Sequence, residues 1–148
     1  MTLRKALLSF ALFTSLVAQT ACSGDLVLEK RLTPADTLRE TTSRTVVPGT
    51  FVMTVKSVNV LNKMVFLNSE DTYLDRANVA VQITSGVAYN ADIRFGGDFR
   101  SMVLNKKILV IGSAMKVAAD LEQGIIVNNK DDYRTYIFVS RASNIFFQ

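Results

Sequence analysis

The chain has 148 residues, 49% of them apolar, and a formal charge of +4; that is enough for one domain with a real core and too little for two. It has no histidine and a single cysteine, which excludes His/Cys zinc sites, Ser-His-Asp triads and Cys-His pairs within one chain. Arg4 and Lys5 precede the first acidic residue, Asp25, and without residues 1–21 there remain 15 basic and 13 acidic groups, a balance that argues against a dedicated polyanion binder.

Residues 1–21, MTLRKALLSFALFTSLVAQTA, run from a short positive region through an apolar stretch, Ala6 to Ala18, to small and polar residues. This is the three-part pattern of a secretory signal. The apolar stretch has 13 residues, short of the roughly 20 that a membrane-spanning helix needs. At its end, Thr20, Ala21 and Cys22 resemble the lipobox of bacterial lipoproteins, with Gln19 where an aliphatic residue is usual. The resemblance implies that Cys22 is acylated and becomes the new N-terminus, and that Ser23 after it directs the protein to the outer membrane, facing the periplasm. Cleavage by the general signal peptidase, leaving a soluble exported protein, is the alternative.

Residues 22–48 are polar and threonine-rich without a sustained period, so they are expected to form a tether reaching about 25 to 30 Å from the membrane if flexible. Within it, Thr33 followed by Pro34 predicts the start of one short helix. Packing of Leu26 to Leu28 and of Val46 and Val47 onto the domain would shorten the tether.

Strand patterns begin after Pro48-Gly49. Phe51, Met53 and Val55 alternate, and Val58 and Val60 continue on the opposite parity; such a shift predicts a bulged, bent strand. MVFL and ANVAVQI read as the second and third strands, the third burying Val79, Val81 and Ile83 while Asn78, Ala80 and Gln82 share its other face. Between Thr84 and Asn105 the alternation stops, and Phe99, Met102 and Val103 predict a loop with a short helix. KKILVIGSAMKV is apolar on both parities, hence central, with Gly112 marking a bend or a close backbone approach. GIIV and TYIFVSRA are expected to form a closing hairpin around NNKDD. The apolar tail Ile145, Phe146 and Phe147 either completes the domain or meets a partner.

These five to six strands, the first bent and with a helix-like insertion before the fourth, fit a mainly β, OB-fold-like barrel. MVFLNSEDTYLDRANVAVQI, FRSMVLNKKILVIGSAMKV and YIFVSRASNI are similar to successive signatures of small bacterial OB-fold domains, with Asn105 in place of a usual glycine. The resemblance spans residues 49–148, and a fold of this kind leaves the ligand open.

For chemistry, Glu70, Asp71 and Asp75 in one loop and Asp131 and Asp132 in another could hold calcium or serve acid/base work, but they lack EF-hand spacing and read as solvated turn residues. The third strand's outer side offers no ring for single-stranded nucleic acid; Phe51, Phe66, Phe95, Phe99 and Phe138 read as core. The expectation is a non-enzymatic, lipid-anchored binding module of the cell envelope without a cofactor. It would contact the membrane through Cys22 and bind an envelope protein or polymer, not nucleic acid, by loops carrying Lys63, Tyr73, Arg76, Tyr133, Arg134 and Tyr136. A secreted metal-dependent hydrolase or phosphodiesterase on an OB-like barrel is the alternative.

Overall fold

The computed structural model describes residues 30–118 and 133–148; residues 1–29, with Cys22 and the signal pattern, and residues 119–132, with GIIV, Asp131 and Asp132, lie outside them. The described chain is mainly β, one mixed sheet of eight strands with three α-helices among the described residues.

Folded structure starts earlier than residue 49. Strand β1 (Arg31–Leu32) pairs in parallel with β2 (Val47–Thr54), and between them lies helix α1 (Pro34–Ser43). A reciprocal cap starts the helix at Thr33: its hydroxyl accepts the Asp36 N–H, and the Asp36 carboxylate accepts the Thr33 N–H, each at 3.2 Å. Those bonds from Thr33, with Arg39 adding to them, hold the Asp36 carboxyl down at about 2. Leu32 and Val47 join the core, so the segment from Lys30 to Pro48 packs on the sheet instead of forming a free tether.

The bent first strand resolves into β2 and β3 (Ser57–Leu61), broken at Val55-Lys56 where the apolar parity changes. At the break the backbone changes partners, Val55 donating to the Lys106 carbonyl at 2.9 Å and Lys56 to the Asn68 carbonyl at 2.8 Å. β3 turns into β4 (Met64–Asn68) through Asn62 and Lys63, both at positive φ, +50° and +63°. A two-residue hairpin turn requires that conformation, and it favours glycine second. Lys63→Gly is therefore expected to raise stability by about 1 kcal/mol, read as a higher urea midpoint at unchanged slope.

After β5 (Val79–Thr84), the region expected to hold a loop and one short helix folds into α2 (Ser85–Phe95) and α3 (Phe99–Val103). Gly96 at φ +75° ends α2, and Asp92 accepts the Phe99 N–H at 2.7 Å, fixing the start of α3. Asn105 does take the left-handed conformation, φ +61°, and donates to the Val55 carbonyl at 2.7 Å. β6 (Lys107–Ala118) is central, pairing with β2, β7 (Tyr133–Phe138) and the tail strand β8 (Ile145–Phe147). The tail thus completes the domain. Phe147 meets Phe95 edge to face at 4.8 Å, and Arg94 donates to the Ala142 and Ile145 carbonyls.

Ladders run in the order β1-β2-β6-β7-β5-β4-β3, with β5 and β7 parallel. That path is open, with β1 and β3 at its ends, and is not the closed, five- to six-stranded barrel with one helix expected from sequence. The extra strands are β1 and β8, two and three residues long and too short to carry a period. One face of the sheet buries Phe51, Leu67, Val81, Val110 and Ile137 against Phe99 and Val103; the other carries the candidate site.

Candidate functional site

Register decides what shares the outer face. With Val65 and Leu67 buried in the core, Phe66 and Asn68 of β4 point the other way, opposite Gln82 and Ala80 of β5. The parallel ladder then sets Ala80 beside Tyr136 and Gln82 beside Phe138. Ala80 is small, and the rings of Phe66 and Tyr136 close over the strand it belongs to, 5.7 Å apart and tilted by 58°. Phe138, two residues along the same strand, meets Tyr136 edge to face at 6.3 Å. Phe66 and Phe138, expected in the core, are half-buried members of this outer cluster.

Next to the rings runs a ladder of amides. Asn68 donates to the Asn59 side-chain carbonyl at 2.7 Å, and Asn78 donates to that of Asn68 at 3.0 Å. The Asn78 carbonyl accepts the Glu70 N–H at 3.2 Å, and the Ser69 hydroxyl accepts the Val79 N–H at 2.9 Å. Asn68 and Asn78 are nearly fully buried, so their orientations are set by these bonds.

Rings and amides line a cavity of about 190 Å³, completed by Val60 and Leu61 of β3 and by Tyr73. No charged side chain lines it. It has room for one ring-sized group with an apolar face and hydrogen-bonding edges. Beside it, the Lys56 ammonium donates to Glu70 at 2.6 Å; that bond, the largest cause, raises the Lys56 amino group above its ordinary value and ties the loop after β4 to the break in the first strand.

A second cavity, about 280 Å³, lies between α1 and the end of the β6–β7 pair, where β6 finishes and β7 begins. Arg76, Lys116, Tyr133 and Arg134 line it together with Asp75, and Asn78 forms part of both walls. Lys116 lies 6.0 Å from the Tyr133 ring centroid.

The candidates from sequence therefore divide. Tyr73 and Tyr136 meet at the uncharged cavity, and Arg76, Tyr133 and Arg134 at the charged one. Tyr133, Arg134 and Tyr136 are residues of strand β7, not of a loop, and Arg134 and Tyr136 are only 8% and 4% exposed. Lys63 sits at the β3–β4 turn and lines neither cavity. Cys22 lies outside the described residues. Sequence reasoning missed Asn59, Asn68 and Phe66, although the alternation that buries Val65 and Leu67 already turns Phe66 and Asn68 outward.

Carboxylates here are occupied structurally: Glu70 by Lys56, and Asp75 by the Ala77 N–H at 2.8 Å. Among the described residues no group of three metal-ligating side chains forms, and no helix is long and apolar enough to cross a membrane.

No protein-family model matches the chain, and no curated protein matches it. Among solved structures it is similar to a "putative aspartyl-tRNA synthetase" from Leishmania major Friedlin, with 13% identity and a TM-score of 0.46 over 84% of this chain and 22% of that one. This chain thus spans 22% of that protein's length, and a likeness of this size says nothing of what it binds.

Proposed function

We propose that the protein is an exported, lipid-anchored binding module of the bacterial envelope, a non-enzymatic OB-fold-like domain that holds an envelope protein or polymer on the outer face of its sheet. The uncharged cavity carries this proposal: rings and prearranged amides converge there on space for a neutral group, the arrangement of a binding site. Support for the OB-like topology comes from the first strand, divided between two ladders at Val55-Lys56, from the parallel β5–β7 pair and from the helices inserted between β5 and β6. Export and the anchor rest on the pattern of residues 1–22, with Cys22 as the acylated residue; several acyl chains hold firmly where one holds marginally.

Tyr73→Ala removes a ring from the cavity wall without entering the sheet. Sedimentation of the full chain with purified envelope polymer is expected to weaken about tenfold in that variant, equivalent to about 1.4 kcal/mol, and to be indifferent to chelator. Chelator-sensitive hydrolysis, lost in Glu70→Ala, would instead establish the metal-dependent hydrolase. Mass spectrometry of the N-terminal peptide, with Cys22→Ser as control, tests the anchor separately.

A further inference from the structure

From the charged cavity we infer an anion subsite next to the uncharged one, so that the ligand is an acidic glycan: a sugar ring held among the amides and rings, its carboxylate or phosphate held by Arg76 and Lys116, with the largely buried Arg134 adding its charge from the wall. Three cations and one carboxylate share the 280 Å³ space. The carboxylate, Asp75, accepts the Ala77 N–H. Among the described residues neither Arg76 nor Lys116 has an ion-pair partner. Cations gathered in one concave space repel each other and raise the local concentration of anions, and a guanidinium offers a planar fork to an oxyanion.

The cations come from separate parts of the chain, the loop after β4, β6 and β7. Asn78 is the hinge of the inference. It lines both cavities, so the two spaces adjoin a single side chain and one ligand reaching past it would enter both. Nucleic acid would also present an anion, but its bases need open ring faces. Tyr136 is 4% exposed and lies tilted against both Phe66 and Phe138, while the exposed Asn59 amide suits a hydroxyl group; Tyr133, 51% exposed beside the cations, is the ring that an oligonucleotide would test.

Such a ligand presupposes the uncharged cavity proposed above. The test separates the two by titrating the isotope-labelled full chain with a galacturonic acid tetramer, the same tetramer methyl-esterified, inorganic phosphate, and an eight-residue thymidine oligonucleotide. The acid is expected to bind about tenfold more tightly than the ester and to shift the amide signals of Arg76, Lys116 and Asn78, with phosphate alone shifting the first two. Lys116→Gln should remove most of that tenfold and leave ester binding unchanged. Equal affinity for acid and ester would overturn the anion subsite and leave the uncharged cavity standing. No shift at either cavity with any probe would overturn both. Tighter binding of the oligonucleotide at these residues would overturn the glycan and make the ligand a nucleic acid.

Discussion

Phe99→Ala is expected to cost about 4 kcal/mol, the range for truncating a fully buried phenylalanine, which is a large share of the 5–15 kcal/mol that holds a typical domain together. Phe99 has no exposed surface and opens α3, a helix of five residues that is too short to persist without tertiary packing. Its ring stacks on Phe95 at 5.7 Å and lies 6.3 Å from Phe147, so it joins both helices to the tail strand. Truncation therefore removes ring contacts to Phe95 and Phe147 together and leaves a cavity beside the tail strand. Urea unfolding should show the loss as a lower midpoint at unchanged slope. Phe99→Leu, which retains most of the volume, should cost no more than about 1.5 kcal/mol. A loss below about 1 kcal/mol for the alanine variant would mean that the helices are not held through this ring.

Gly112→Ala is expected to cost about 3 kcal/mol, the upper end for overpacking, and to lower the melting temperature by about 10 °C. Space is the cause. A Cβ on Gly112 would lie 2.4 Å from the Phe138 carbonyl oxygen and 3.2 and 3.3 Å from side-chain carbons of Val139 and Ile137. The nearest atom is backbone within the β6–β7 pairing, so relief requires β7 to move, and β7 carries Tyr136 into the uncharged cavity. The variant should therefore weaken the binding proposed for that cavity as well as stability. Gly49 gives the control: it pairs with Gly112 across the β2–β6 ladder, yet a Cβ there would meet nothing closer than 3.7 Å. Gly49→Ala should stay within about 1 kcal/mol of the parent. Equal losses at the two glycines would refute the steric explanation.

Where a segment has a clear period, sequence and structure agree. The parity change between Val55 and Val58 marks the point where β2 gives way to β3, the two-sided apolar run marks central β6, and the close approach at Gly112 follows from a glycine inside that run. Helix α2 left little trace because its inward positions, Val87, Ala88 and Ala91, are small and stand among Ser85, Gly86 and Asn90, giving weak contrast between its faces. The uncharged cavity was partly concealed for a different reason. Phe66 and Tyr136 are distant in the chain and meet only because β5 lies between their strands, and Asn59, Asn68 and Asn78 resemble ordinary polar surface residues until their mutual bonds are seen. Overall charge balance likewise hid the local gathering of Arg76, Lys116 and Arg134.

The parallel β5–β7 ladder also orders events in time. β3, β4 and β5 are successive antiparallel neighbours, with residues 62–63 and 69–78 between them, and can associate early, whereas Val79 pairs with Thr135 and Ala80 with Tyr136 only after a far longer stretch of chain has closed. Closing such loops is slow, and sheets dominated by distant pairings fold in milliseconds to seconds. Phe66 and the three asparagines can therefore gather before Tyr136 joins them. A polypeptide still being made offers no finished pocket, and the fraction of chains with the cavity formed measures how much of the population has completed its final strand pairing.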